Sequence, residues 1–345
     1  MRAAEDERTS TRVQGAHSTG KASLVYGHTV AARLLCMASM GMLKPMCRIM
    51  FAAVAAAAAM SPLRAQQVPG RQLFDFPLGT MAEAPSLASS VGGGFWNPAT
   101  IALHDGDRLL ASVAALTSDI QQGVSMQLGT LAYEFHPGLT AGLSVASASV
   151  SELLRTDTDP QTIGDAIPYN STIVSGLVAA ARGRSSFGIA VRRRAGTVDR
   201  AAGHATSIDV GGVVDRPLGL PFRAGVSSFL LSPARELEHA SGLGAVEGYL
   251  PRAVGDTRVG ISWQQQDGGG SERFVYAESH AGLFDLRGGV ARQAAFGSST
   301  TRLRLGVGIH YAHYLVGVAR EDGTAGLGAS YQFVLRTVIP KLSTE

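Results

Sequence analysis

From residue 107 onward the chain is a succession of short segments in which apolar and polar residues alternate. The pattern is plainest in Arg302-Leu303-Arg304-Leu305-Gly306-Val307-Gly308-Ile309-His310-Tyr311, where every odd position is apolar or aromatic and every even one is Arg, Gly or His. A period of two belongs to a β-strand, whose successive side chains point to opposite faces. Near the C-terminus, Leu327, Ala329, Tyr331, Phe333 and Leu335 alternate with Gly328, Ser330, Gln332 and Arg336 in the same way. Such segments predict strands over 109–116, 121–135, 139–150, 171–181, 186–194, 204–214, 222–231, 254–265, 272–280, 283–292, 302–311, 313–320 and 325–338. Turn signals separate them, among them His136-Pro137-Gly138 and Arg182-Gly183-Arg184-Ser185. In the second segment the apolar phase slips between Met126-Gln127-Leu128 and Leu131-Ala132-Tyr133, which predicts a bulge at Gly129. Residues 151–170, rich in Asp, Thr and Pro, read as a long loop.

This alternation suits either a soluble antiparallel sheet or a barrel with one face toward lipid. A closed bacterial barrel takes an even number of strands with both ends on one side. The thirteen segments above therefore require a fourteenth, expected within 232–249. With it in place, the longer connections at 151–170, 197–203 and 294–300 gather at one end, expected outside the cell. The short ones at 136–138, 182–185 and 281–282 gather at the other, expected on the periplasmic side. The expected fold is thus all-β: a closed antiparallel transmembrane β-barrel of about fourteen strands over 107–338, with a luminal segment at 66–106 and a periplasmic tail at 339–345.

Composition agrees with that architecture, since 42 glycines and a charged fraction of only 17% suit tight turns and closely packed strands. The net charge of +3 is too small to point to nucleic acid. Lys44 and Arg48, the apolar run 49–60, and Leu63-Arg64-Ala65 before Gln66 have the form of a signal peptide over 46–65. Residues 1–45 then read as an over-extended start, with Met40, Met42 and Met46 as candidate true starts. Cys36 and Cys47 both precede the expected mature chain, which would carry no thiol chemistry.

Just upstream of the first strand lies Gly92-Gly93-Gly94-Phe95-Trp96-Asn97-Pro98-Ala99. The glycines free the backbone for close approach, the two aromatics carry a large buriable surface, and Pro98 forces Asn97 out of the helical region. This run resembles the aromatic-Asn-Pro-Ala motif that opens the FadL-like outer-membrane family, the long-chain fatty-acid transporters, and the related PorV-like barrels of bacterial secretion systems. Leu250-Pro251-Arg252 before the strand ending at Trp263, and the closing strand around Tyr331-Gln332-Phe333, agree with it. The segment 81–91, with Pro85 and several serines, departs from the family pattern. The resemblance implies that Phe95, Trp96, Asn97 and Pro98 lie in the lumen as plug or gate. It also implies one of two roles: binding or passage of a hydrophobic, fatty-acid-like small molecule, or docking of exported proteins.

Charges at strand positions opposite the apolar face are expected inside, because a charge toward lipid at mid-membrane costs about 2–4 kcal/mol for Arg or Lys. These are Arg192, Asp209, Asp256, Arg258, Asp285, Arg287, Arg302 and Arg304. They are candidate lumen or ligand residues, with bracing of the interior as the simpler role. No catalytic motif is present: Ser227 and Ser228 lack the neighbours of a nucleophile elbow, and residues 15–22 miss the hydroxyl that a phosphate loop requires. His310 and His313, three apart on strands, do not share a face, and Asp157, Asp159 and Asp165 lack the spacing of a calcium loop. The expectation is a monomer in outer-membrane lipid, neither an enzyme nor a nucleic-acid binder, with no cofactor or metal. Its expected partners are a hydrophobic small molecule or a secreted protein.

Overall fold

The computed structural model describes residues 68–75, 77–102, 107–118, 123–151, 153–156, 163–231, 240–250, 256–266, 270–295, 298–323 and 328–340. The expectations for residues 1–65 and for 341–345 lie outside them, as do Asp157 and Asp159.

Among the described residues sixteen strands follow one another: β1 (Asp107–Ser118), β2 (Val124–His136), β3 (Leu139–Val150), β4 (Leu154–Thr156), β5 (Ile163–Ala166), β6 (Tyr169–Arg182), β7 (Ser185–Val198), β8 (Ala201–Asp215), β9 (Phe222–Phe229), β10 (Ser241–Tyr249), β11 (Asp256–Gln266), β12 (Ser271–Ala281), β13 (Phe284–Ala295), β14 (Ser298–Tyr311), β15 (Tyr314–Glu321) and β16 (Ser330–Pro340). Fourteen of them form one closed antiparallel barrel, in which β16 returns to pair with β1. Closure leaves no unpaired sheet edge, which in lipid would strand backbone donors and acceptors without water. β4 and β5 form a separate hairpin, so the expected long loop carries structure of its own. The strand expected within 232–249 is β10, and β16 runs two residues past the expected barrel end.

The barrel has two unlike ends. At the lower end, where β1 begins and β16 finishes, β2–β3, β6–β7, β12–β13 and β14–β15 are joined by two-residue turns. The upper end carries the long connections 151–168, 230–240 and 322–329. Each connection named from the sequence falls at the end expected of it, but two of the three expected to be long are two-residue turns, and the lower end also carries the six-residue connections 216–221 and 250–255. β7 and β8 pair up to Val198 and Ala201, and β13 and β14 up to Ala295 and Ser298. The first of these turns is closed by Asp199 at φ 51°, a left-handed conformation that Asp tolerates and tight hairpins use.

The expected bulge at Gly129 is absent. β2 keeps unbroken register through Gly129 with both β1 and β3, and its irregularity lies between Glu134 and His136. Leu131, Tyr133 and Phe135 point outward, whereas Met126 and Leu128 point inward and are buried. Two apolar residues on the inner face imitate a phase slip. They face inward because the lumen is filled.

The filling is the described part of 68–102, in which the regular pieces among the described residues are two 3₁₀ turns, Arg71–Asp75 and Pro98–Ile101. Phe74, Leu78, Met81, Ala84, Ala88, Val91, Phe95, Trp96 and Ala99 are all fully buried, so the expected luminal segment packs as a core inside the wall. Outward-pointing Val, Leu, Ile, Tyr and Phe side chains cover the exterior, from Val113 through Val226 and Val275 to Leu335. Toward the lower end aromatics gather on that exterior: Tyr133, Phe135, Phe187, Phe284, Tyr311 and Tyr314.

Candidate functional site: the filled lumen

The aromatic-Asn-Pro run is seated by the wall at four consecutive residues. Arg192 donates to the carbonyl of Phe95 at 2.6 Å and stacks its guanidinium 5.2 Å from the Phe95 ring. Ser227 donates to the carbonyl of Trp96 at 3.0 Å, and the indole N–H of Trp96 donates to Leu78 O at 2.8 Å. Asn97 caps the second 3₁₀ turn by accepting from Ala99 N at 3.0 Å, while its amide donates to Ser86 O at 2.7 Å. Pro98 rests on Gly188 and Asn97 on Gly211, where a β-carbon would overlap them. Phe95, Trp96 and Phe229 form one aromatic cluster, with centroids 4.7–5.4 Å apart.

Seven of the eight predicted inward charges take part in interior pairs. Arg192 and Asp209, both fully buried, form an ion pair; Asp209 also accepts from Leu231 N at 3.0 Å. Arg258 bonds Glu247 at 3.1 Å and Glu278 at 3.0 Å. Arg287 reaches Glu278 at 3.2 Å, Asp285 at 3.3 Å and, across the lumen, Glu83 of the N-terminal stretch at 2.6 Å. Glu83 in turn accepts from Ser89 N at 2.7 Å, which folds the 81–91 segment into a turn. Arg302 and Arg304 both pair with Glu272 and Glu321; Arg304 does so at 2.7 and 2.6 Å. The exception is Asp256, which has the inward register but lies exposed at the lower mouth.

The carboxylate partners were missed because finding them needs cross-strand register. Arg304 lies directly opposite Glu321 across the β14–β15 turn, and Arg258 opposite Glu278. Counting back from each turn would have paired them. Glu83 carries no such signal, since nothing periodic ties the N-terminal stretch to the wall.

The pairs do not encircle the lumen. From β7 to β15 the inner wall carries Arg192, Arg194, Asp209, Arg223, Glu247, Arg258, Glu272 and the rest. From β16 through β1, β2 and β3 to β6 it carries Val334, Ala114, Leu116, Met126, Leu128, Ala146, Ala148 and Ile173, in one cluster with Phe74, Phe95 and Trp96. Within this apolar arc Ser112, Thr130 and Ser144 stand side by side in register, among buried hydroxyls that also include Ser118, Thr140, Ser171, Ser175 and Ser330. Ser112, Thr130 and Ser144 are buried and have no hydrogen-bond partner among the described residues. Arg336 sits opposite Ser112 and continues the row. On the outside of the same arc, a hollow of about 560 Å³ opens between Val113, Gly129, Val145, Phe333 and Leu335.

No family model matches the sequence, and no curated protein matches it. Among solved structures, the chain is similar to the Pseudomonas putida toluene transporter TodX, with a TM-score of 0.53 at 10% identity, over 77% of this chain and 97% of that one. It is also similar to Pseudomonas putida OprB, with a TM-score of 0.38 at 7% identity over 68% and 92% of the two chains. A mutant of Rh. blastica porin gives 0.39 at 11% identity over 67% and 99%. The likeness to TodX is one of fold.

Proposed function

We propose that this protein is an outer-membrane barrel that binds or passes an amphipathic small molecule, fatty-acid-like in having an apolar body and a polar head. The row of unpartnered hydroxyls in the apolar arc carries this reading. A buried hydroxyl without a partner costs about 1–3 kcal/mol, and three in register form a ready set of donors for a carboxylate or similar head group. The apolar surface above the row, from Leu116 and Met126 to Phe95 and Trp96, suits the body of such a molecule.

Further support comes from the exterior. A continuous apolar surface with aromatics near one end is what a barrel shows to hydrocarbon and interface. A lumen packed with a largely buried segment does not suit a wide aqueous pore, and TodX, a neighbour in fold, is described as a toluene transporter. On the outer side of the same arc, the hollow between Val113, Gly129, Val145, Phe333 and Leu335 offers a lipophilic molecule an apolar seat against the wall.

The test is uptake of a labelled long-chain fatty acid, and of toluene, into vesicles with and without the purified protein. Faster uptake with protein, slowed by Thr130→Val, is the expected result. Equal uptake in both preparations overturns the reading, as would retention of exported proteins in the periplasm of a deletion strain whose uptake is normal.

A further inference from the structure

At the lower mouth three residues from three successive strands converge: His280 near the end of β12, Asp285 at the start of β13 and His310 near the end of β14. His280 Nδ1 lies 2.6 Å from Asp285 Oδ1, and His310 Nε2 lies 2.6 Å from Asp285 Oδ2. The imidazole rings stand edge to face with centroids 5.4 Å apart. One ligand atom from each residue lies within 4.8 Å of the other two. Asp285 is buried, whereas the histidine side chains are 42% and 39% exposed, so the cluster opens to the mouth.

We propose that His280, Asp285 and His310 form a binding site for a divalent transition-metal ion of the zinc type. Two imidazole nitrogens and one carboxylate suit such an ion, whereas magnesium and calcium take oxygen ligands. The three strands are fixed by their own ladders, with His280 opposite Asp285 and Asp285 opposite Gly308.

The surroundings fit a cation. Arg287 donates to Asp285 Oδ2 at 3.3 Å, the kind of outer contact that orients a ligating carboxylate. Its positive charge is offset by Glu83 and Glu278, at 2.6 and 3.2 Å. Asp256 lies opposite His280 in the β11–β12 register, but its carboxylate is not among the three groups that converge. The bound ion would staple the lower ends of β12, β13 and β14. Spacing along the chain hid this set: the His310–His313 interval leads to His313 in the β14–β15 turn, while the true neighbours lie 25 and 30 residues back.

The test uses the full chain in detergent and metal alone as probe: Co²⁺ followed by its visible absorption, and Zn²⁺ by calorimetry. The site predicts a tetrahedral Co²⁺ spectrum that is lost, with one equivalent of metal per chain, in the His280→Ala/His310→Ala double variant. Each single variant should lower affinity at least tenfold. Heat-dependent gel mobility confirms that the variants still form the barrel; His310→Gln, which keeps a donor toward Asp285, replaces any that do not. An unchanged stoichiometry and spectrum in the double variant, or no tetrahedral spectrum in the wild type, overturns the proposal.

Discussion

The arc from β7 to β15 and the arc from β16 through β1, β2 and β3 to β6 enclose the same N-terminal stretch, yet they hold it by different physics. The first grips it with directed, charge-assisted bonds: Arg192 to the Phe95 carbonyl, Arg194 to the carbonyls of Val68 and Pro69, and Arg287 to Glu83. The second mainly packs Val334, Ala114, Leu116 and Leu128 against it, although Gln332 bonds the backbone at Gly79 and Pro77. Directed bonds fix a position, and apolar packing tolerates sliding and exchange. The charged arc therefore reads as the anchor of the plug, and under the proposed function the apolar arc is the side along which a lipophilic molecule would replace protein contacts.

The largest expected effect is on the anchor. Arg192→Leu leaves Asp209 buried and unpaired, which costs about 3–5 kcal/mol. The temperature at which the barrel loses its compact gel mobility should fall steeply, and Arg192→Leu with Asp209→Leu should regain part of it. Next in size is Leu128→Ala on the apolar arc, a cavity costing about 2–5 kcal/mol. It should lower the same transition temperature while leaving the lumen closed to ions in planar-bilayer recordings. Glu83→Gln, by contrast, cuts the tie to Arg287, which keeps Glu278 and Asp285 as partners, so its stability cost is about 1–3 kcal/mol. Its distinguishing result is more frequent ion-conducting openings in those recordings. The smallest stability effect belongs to Gly129→Ile. A side chain there meets nothing within 4 Å and fills the outer hollow, so stability should stay within about 0.5 kcal/mol while uptake of a lipophilic substrate falls.

The outer face could be read from the sequence because period two needs no tertiary information. Leu303, Leu305, Val307 and Ile309 point outward as their alternation requires, and Arg302 and Arg304 point inward. β10 was anticipated only through the rule that a closed barrel needs an even strand count. Where the reading failed, long-range contact had overridden local pattern. Met126 and Leu128 looked like a register slip because their apolar partner, the N-terminal stretch, is distant in sequence. The partners of the interior arginines and the His280–Asp285–His310 cluster depend on cross-strand register. Asp256 keeps the inward register expected of it, but it stands at the strand's first residue, where the side chain is exposed.

The account turns on the apolar arc with its row of hydroxyls being a place for an amphipathic molecule, and one binding measurement addresses it. Equilibrium binding of a fluorescent long-chain fatty acid is compared between the wild type and the Ser112→Ala/Thr130→Val/Ser144→Ala variant, with barrel stability followed alongside. The account predicts that the variant is at least as stable as the wild type, since three unpartnered hydroxyls are gone, and binds the fatty acid at least tenfold more weakly. Undiminished affinity in an intact variant barrel would contradict it.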